Sequence, residues 1–252
     1  MTPGAISLLA GAGFLAGTIN AVAGGGSLIS FPALLAAGVP SVPANVTNTV
    51  ALWPGYAGSV VGYREELAAE RARTVALGLT SLVGAALGAV LLLTTPASVF
   101  TALVPWLVLS ACALLAVQPR VAAWVAARTG EDGHAGFRLP LHLGVLASSV
   151  YGAYFGAGLG VMLLGVLGIL LADPLSKLNG LKNALSLSIN TVALLAFVVF
   201  GPVRWLAVLV MAVTSLGGGF VGARLARRLS SKVLRIVVIV FGVVVGVKLL
   251  VG

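Results

Sequence analysis

The sequence predicts an all-α polytopic membrane protein that is built from two inverted-topology repeats. Hydrophobic residues make up 60% of the 252 residues, charged residues only 8%, and the mean hydropathy is +1.13. Because soluble domains carry about 25% charged residues, lipid must cover most of this apolar surface. The other two observations are glycine clusters inside two over-long apolar segments, and an internal repeat with an uneven distribution of basic residues.

The chain carries eight apolar segments, at 5–38, 44–62, 74–93, 97–118, 139–171, 178–199, 203–223 and 233–251. The first and fifth contain 34 and 33 residues. As straight helices they would be about 50 Å long, against a hydrocarbon core of about 30 Å. Each has a glycine cluster near its middle, at 24–26 and 156–160. We therefore expect each to be a glycine-broken or re-entrant helical hairpin, followed by about three transmembrane helices in each repeat.

The two halves of the chain align without a gap after a shift of 134 residues. The superposed pairs include Gly24 with Gly158, Gly26 with Gly160, Asn45 with Asn179, and Asn48 with Lys182. We expect a first transmembrane repeat at 1–118, a polar linker at 119–138 and a second transmembrane repeat at 139–252. Internal repeats of this kind are typical of secondary transporters.

The positions of the basic residues favour opposite orientations for the two repeats. Inverted repeats put eleven of the fifteen Lys and Arg residues on one side: Arg64, Arg71, Arg73, Arg120, Arg128, Arg138, Arg224, Arg227, Arg228, Lys232 and Arg235. Parallel repeats would divide them almost evenly. Because basic loops face the cytoplasm, we expect inverted repeats, a cytoplasmic linker at 119–138 and both termini outside the cytoplasm.

Several classes of function are disfavoured by the composition and the motifs. The single cysteine, Cys112, provides no disulfide framework and no cysteine metal site. The sequence contains no HExxH, GxSxG or P-loop motif. The net charge of +9 is explained by the basic loops, so we expect no nucleic-acid partner. The first Lys or Arg is Arg64, so we expect no separate targeting peptide. We expect neither enzyme activity nor a cofactor or metal.

The glycine breaks are candidates for an anion-binding site. A helix that begins near Ser27, with Ser27 as its N-cap, would direct free N–H groups and its positive dipole end at the break. The repeat predicts a second break near Gly158 and Gly160. The candidate residues at the two breaks are Gly24, Gly25, Gly26, Ser27, Gly158 and Gly160. Close helix packing is the alternative explanation for the other glycines, which are spaced as small-xxx-small motifs.

Polar residues follow each break and extend the candidate site. They are Asn45 and Asn48 after the first break, and Asn179, Lys182 and Asn183 after the second. No Asp or Glu lies within any apolar segment to pair with Lys182, so an anionic ligand is the natural partner of its charge. The alternatives are that Lys182 extends to the interface and that the asparagines tie the broken helices together. Lys177 lies nearer the end of its segment, and we expect its side chain to extend to the interface. A pair with Asp173 at i,i+4 is the other option for it.

Three stretches resemble the TauE/SafE family of sulfite exporters and toluene-sulfonate uptake permeases. They are "GTINAVAGGGSLISFPALLAAGVPSVPANVTNTVAL", the "GYREEL" that follows it, and "LNGLKNALSLSINTVALLAFVVFGPVRW". The resemblance covers essentially the whole chain. The second repeat departs from the pattern, since it has "GAGLG" where many members carry a fuller glycine run. The resemblance implies a bacterial plasma-membrane secondary carrier for sulfite, thiosulfate or organosulfonates such as taurine derivatives and sulfoacetate.

Together these observations predict a multi-pass carrier that binds a small anion at helix breaks near the midplane and works by alternating access. A passive anion channel and a non-transporting membrane assembly subunit remain alternatives. The expected partners are a small anionic substrate and the lipid bilayer, with a second copy of the chain as a candidate partner in a homodimer.

Overall fold

A computed structural model describes residues 1–22, 25–127, 138–171, 173–225 and 231–251. Within these ranges the chain forms α-helices and no strand, which confirms the all-α class. The helices are α1 (Pro3–Val22), α2 (Ser27–Ala36), α3 (Ser41–Gly62), α4 (Arg64–Ala69), α5 (Arg71–Thr94), α6 (Ala97–Ala127), α7 (Arg138–Tyr154), α8 (Leu159–Leu170), α9 (Leu175–Phe200), α10 (Trp205–Leu225) and α11 (Ser231–Val251).

The helix boundaries follow the apolar segments with two departures. The short helix α4 lies in the region predicted as a loop at 63–73, and α6 continues to Ala127, past the predicted repeat boundary at 118. Gly24, residues 128–137 of the predicted linker and residues 226–230 of the last basic loop lie outside the described residues.

Both over-long segments are interrupted at their glycine clusters, as the sequence predicts. The first divides into α1 and α2, and the second into α7 and α8. Gly25, Gly156 and Gly158 have φ values of +90°, +82° and +81°. This left-handed conformation costs an L-residue with a Cβ about 1–2 kcal/mol and costs glycine almost nothing. The glycines therefore end one helix and redirect the chain into the next.

The predicted N-cap at Ser27 is wrong by one residue. Gly26 occupies the N-cap position of α2, no side chain caps the helix, and Ser27 is its first helical residue. A Cβ on Gly26 would lie 2.3 Å from the Ala16 carbonyl oxygen. Only glycine fits this approach, because the chain after α1 folds back against α1.

The first helix of each half of the chain packs against a helix of the other half. Helix α1 packs along α10, and α7, which the 134-residue shift aligns with α1, packs along α5. A Cβ on Gly17 would lie 2.0 Å from the Ser215 carbonyl oxygen, and one on Gly88 would lie 2.2 Å from that of Val150. Glycine lets the backbones approach this closely. The packing interpretation of the small-xxx-small glycines is therefore correct at these two interfaces.

Repeat-equivalent helices lie side by side and run in opposite directions. Along α3 and α9, the Trp53 indole N–H donates to Thr191 Oγ1 at 2.9 Å. Further towards the start of α3, Thr47 Oγ1 accepts from the Arg204 backbone N–H just beyond the end of α9, at 3.0 Å. Residue numbers thus rise along one helix as they fall along the other. The contacts of α6 with α11 have the same antiparallel order, because Cys112 faces Gly242 and Leu109 faces Gly246.

The outer surface of the helix assembly is apolar. Large hydrophobic side chains such as Leu79, Val199 and Val213 are exposed on the long helices. Among the described residues, four helical stretches are long and apolar enough to cross a bilayer: Pro3–Asn20, Arg71–Thr94, Ala97–Val121 and Ser176–Phe200. The shorter apolar helices are Ser27–Ala36, Leu159–Leu170 and Trp205–Val221. The chain is a multi-pass membrane protein.

Candidate functional site

A small cavity lies where the two helix breaks meet. Its volume is about 40 Å³. Both breaks, α9, and single residues of α1 and α3 contribute to its walls. The lining residues are Asn20, Gly25, Ser27, Tyr56, Gly156, Gly158, Leu159, Gly160, Lys182, Asn183 and Ser186. Six of the residues that the sequence singled out are thereby brought together: Gly25, Ser27, Gly158, Gly160, Lys182 and Asn183.

Lys182 brings a positive charge to this cavity. Its ammonium donates to Asn179 Oδ1 at 3.0 Å, one turn earlier on α9. A Cβ on Gly160 would lie 3.7 Å from Lys182 Cδ, so the lysine stem passes close to the first turn of α8. Among the described residues no carboxylate lies within salt-bridge distance of Lys182. Lys182 shares the cavity lining with the hydroxyl residues Ser27 and Ser186 and the amide residue Asn183. An anion is the ligand that this set of groups suits.

Within the described residues, the acidic residues that form ion pairs lie outside the cavity lining, at the start of α5 and α9. Arg73 binds Asp173 at 2.5 Å and Glu70 at 3.1 Å. Lys177 binds Glu70 at 3.1 Å. The alternative pair between Lys177 and Asp173 is therefore wrong, because the end of α4 supplies a different carboxylate to Lys177 and Arg73 takes Asp173. These pairs join the chain between α4 and α5 to the beginning of α9.

The N-terminal end of α2 faces the cavity, and one backbone N–H group there already donates to a side chain. Asn20 Oδ1 accepts from the Gly26 backbone N–H at 2.8 Å. Ser27 follows as the first helical residue and lines the cavity. The end of α2 carries a partial positive charge from the helix dipole, and so does the start of α8 beside Gly158. Both helix ends thus favour negative charge at the same place.

Asn45 and Asn48 lie outside the cavity lining and tie the broken helices together. Asn45 Nδ2 donates to the carbonyl oxygen of Tyr154, the last residue of α7, at 2.8 Å. Asn48 Oδ1 accepts from the Ser30 hydroxyl of α2 at 2.5 Å. Asn179 also lies outside the lining and holds Lys182. Gly26 is absent from the lining as well, since its N–H points to Asn20.

The cavity includes five residues that the sequence did not single out as candidate site residues: Asn20, Tyr56, Gly156, Leu159 and Ser186. Helical periodicity offers a signal for Ser186, which lies four residues after Lys182 and so shares its face of α9. The repeat offers none for Asn20 and Tyr56, because the 134-residue shift places them on Tyr154 and Asn190.

A larger groove of about 670 Å³ lies between the start of α6 and the end of α11. It is lined by Ala97, Ser98, Thr101, Ala102, Pro105, Leu249 and Leu250. This groove is wide open and no charged residue lines it, so it offers nothing that would hold an ion. The small cavity between the breaks is the candidate site.

Comparison with known proteins places the chain in a family. The family model for the sulfite exporter TauE/SafE matches residues 9–249. A probable membrane transporter protein, ORF9, from Sinorhizobium sp is 28% identical, with 95% of this chain and 90% of the relative covered. A probable membrane transporter protein of Haemophilus influenzae is 25% identical, with 97% and 94% covered.

The probable membrane transporter protein YfcA of Escherichia coli K12 is 27% identical, with 94% of this chain and 86% of the relative covered. No solved structure matches the chain. The family match spans both helix breaks, and the alignments cover most of each of these relatives. The chain therefore belongs to the TauE/SafE sulfite exporter family of membrane transporters.

Proposed function

We propose that this transporter is a secondary carrier that moves a small sulfur-containing anion across the bacterial plasma membrane by alternating access. The observation that carries the proposal is the cavity between the two breaks, where Lys182 and two helix N-termini converge. No carboxylate is among the described lining residues. A site with this charge favours anions over cations, and the family match supports sulfur as the element.

The size of the cavity supports a compact substrate. A volume of about 40 Å³ is comparable to the space of about 30 Å³ that one water molecule occupies in the liquid. Pockets for drug-sized ligands enclose about 300–1,000 Å³. Sulfite has four non-hydrogen atoms and thiosulfate has five, whereas sulfoacetate has eight. We therefore favour sulfite or thiosulfate, for which the cavity must widen least, over the longer organosulfonates.

Each lining group has a role in this proposal. Lys182 compensates the charge of the anion, and Ser27 and Asn183 donate hydrogen bonds to its oxygens. Backbone N–H groups at the start of α2 and α8 stabilise the negative charge through the helix dipoles. Gly25, Gly158 and Gly160 allow the backbone to approach the ligand, with Gly24 and Gly26 completing the first break. Asn45, Asn48 and Asn179 hold the broken helices and Lys182 in place.

The proposal includes an inverted membrane topology, with α1–α2 and α7–α8 as re-entrant hairpins from opposite sides. The antiparallel course of α3 with α9 and of α6 with α11 supports it, because repeats related by an axis in the membrane plane run in opposite directions. The contact between Lys177 and Glu70 adds Lys177 to the basic residues on the side of the 63–73 loop. That side faces the cytoplasm under the positive-inside rule, and both termini lie on the other side.

Alternating access follows from the exchange of helices between the repeats. A carrier must expose one site to each side in turn, and inverted repeats accomplish this by exchanging two equivalent packing arrangements. The interfaces of α1 with α10 and of α5 with α7 are the equivalent pair in this chain. We propose that relative movement of the two repeats opens the cavity first to one side and then to the other.

Counterflow in proteoliposomes tests the proposal. Vesicles are loaded with sulfite and diluted into a trace of labelled sulfite, with a parallel series loaded with thiosulfate, sulfate, taurine or sulfoacetate. We expect transient accumulation of label with internal sulfite or thiosulfate, and little with sulfoacetate. Accumulation with none of the sulfur anions would reject the assignment of substrate. Electrogenic leak without counterflow would reject the carrier in favour of a channel.

A further inference from the structure

We propose that Asn45 and the C-terminal end of α7 form a binding site for a monovalent cation of the size of Na⁺. The site is separate from the anion cavity, since Asn45 and Tyr154 do not line that cavity. It does not depend on the identity of the transported anion.

The amide of Asn45 carries a buried, unsatisfied oxygen. Asn45 is only 1% exposed. Its Nδ2 donates to the Tyr154 carbonyl oxygen at 2.8 Å, which fixes the orientation of the amide, because the reversed orientation would set two oxygens against each other. The amide Oδ1 then has no hydrogen-bond donor in the part of the chain that the structure describes. A buried acceptor without a partner is costly, so a ligand at this oxygen stabilises the fold.

The position of Asn45 beside the end of α7 attracts positive charge. Tyr154 is the last residue of α7, so Asn45 lies beside the carbonyl end of that helix. The C-terminal end of a helix carries a partial negative charge and stabilises cations. Broken helices in membrane carriers use carbonyl oxygens at such ends to coordinate Na⁺. The Asn45 amide oxygen is therefore a neutral oxygen ligand beside a helix end of negative potential.

The two predicted repeats differ in the residue that lies one turn after the asparagine. The 134-residue shift superposes Asn45 on Asn179 and Asn48 on Lys182. In the second repeat the Lys182 ammonium donates to Asn179 Oδ1, so a cation attached to the chain occupies that amide oxygen. In the first repeat the lysine is replaced by the neutral Asn48, which binds Ser30 instead. A free cation at Asn45 supplies the positive charge that Lys182 supplies in the other copy.

The ligands select the class of cation. Protein sites for Ca²⁺ depend on carboxylates, and no carboxylate of the described residues forms a recorded contact with Asn45. Neutral amide and carbonyl oxygens suit a singly charged ion. If the proposed anion transport is correct, one bound cation together with Lys182 balances the double negative charge of sulfite, and transport of the anion becomes dependent on Na⁺.

The test uses the purified full-length protein without any sulfur anion. The midpoint of thermal unfolding is measured against increasing NaCl, with choline chloride keeping the ionic strength and the chloride concentration constant. We expect a saturable rise in the midpoint with Na⁺, as linkage requires for a ligand of the folded state. Equal midpoints in NaCl and choline chloride at every concentration would overturn the proposal and leave a buried water as the partner of Asn45.

Asparagine variants test whether the stabilisation by Na⁺ arises at Asn45. Asn45→Leu should lose the Na⁺-dependent rise, whereas Asn190→Leu should keep it. Asn190 is a matched control because it is 5% exposed and its Nδ2 also donates to a backbone carbonyl, that of Ser186 at 2.8 Å. An undiminished Na⁺ response in Asn45→Leu would overturn the assignment.

The design keeps this result separate from that of the transport proposal. Thermal stabilisation by Na⁺ is measured with no transported anion present, and counterflow is measured with equal Na⁺ on both sides of the membrane. A protein that shows counterflow without Na⁺ stabilisation refutes the cation site alone. Na⁺ stabilisation without counterflow refutes the proposed substrate and leaves the cation site standing.

Discussion

Replacement of Lys182 by methionine isolates the charge of the proposed anion site. Methionine keeps an unbranched stem of similar length, so the change removes the ammonium and its bond of 3.0 Å to Asn179 while retaining most of the packing beside Gly160. Lys182 lines the cavity of about 40 Å³, and we take a separation of about 4 Å for direct contact between the ammonium and a bound anion. At an effective dielectric constant of about 20, that separation corresponds to about 4 kcal/mol.

The ammonium is part-buried, so solvent screening reduces this value, and we expect about 2–4 kcal/mol. The affinity for sulfite should fall by about 30- to 1,000-fold. The assay is equilibrium binding of labelled sulfite to the purified protein, with the thermal midpoint measured in parallel to show that the variant is folded. Lys177→Met is the matched control, because Lys177 pairs with Glu70 outside the cavity. A folded Lys182→Met protein with the affinity of the original chain would refute the site.

Two glycine pairs test the helix breaks and the interface between the repeats. Gly158→Ala and Gly38→Ala should each lower stability by about 1–2 kcal/mol in chemical denaturation, because both positions have positive φ, near +81° and +82°. Only Gly158→Ala should also weaken sulfite binding. Equal sulfite affinity in both variants would show that the helix break is not part of the binding site. Gly17→Ala should lower the thermal midpoint through a clash at 2.0 Å with the Ser215 carbonyl oxygen, an overpacking cost of about 1–3 kcal/mol. Gly217→Ala, with nothing within 4 Å of its Cβ, should be neutral or stabilising, and the same loss in both variants would argue against close packing of α1 on α10.

Much of the helical organisation can be predicted from this sequence, since length and glycine content impose it. A 34-residue apolar segment with three consecutive glycines cannot remain one straight membrane helix, and α1 and α2 separate where the glycines lie. The prediction for Ser27 failed by one position, because the close approach of Gly26 to Ala16 determines which residue begins the helix. That contact joins two helices and is invisible in the local sequence.

The candidate site was predictable where a residue's charge or place at a break defined its role. Lys182 has no acidic partner in its apolar segment, and it lines the cavity. Asn45 and Asn48 were less predictable, because an asparagine after a break can face either a ligand or another helix end. Which of these occurs depends on the rotation of α3 against α2 and α7. Tyr56 illustrates the same limit, because its polar repeat partner Asn190 lies outside the cavity lining.

The most direct test of the central claim is an anomalous diffraction measurement on crystals grown with selenite, the selenium analogue of sulfite. A Cys112→Ala chain prevents reaction of the thiol with selenite. One selenium peak is expected between Gly25 and Gly158, at a position from which a selenite oxygen accepts a hydrogen bond from Lys182 Nζ. A peak at another place in a protein that shows sulfite counterflow would contradict the proposed site, while the family assignment would stand.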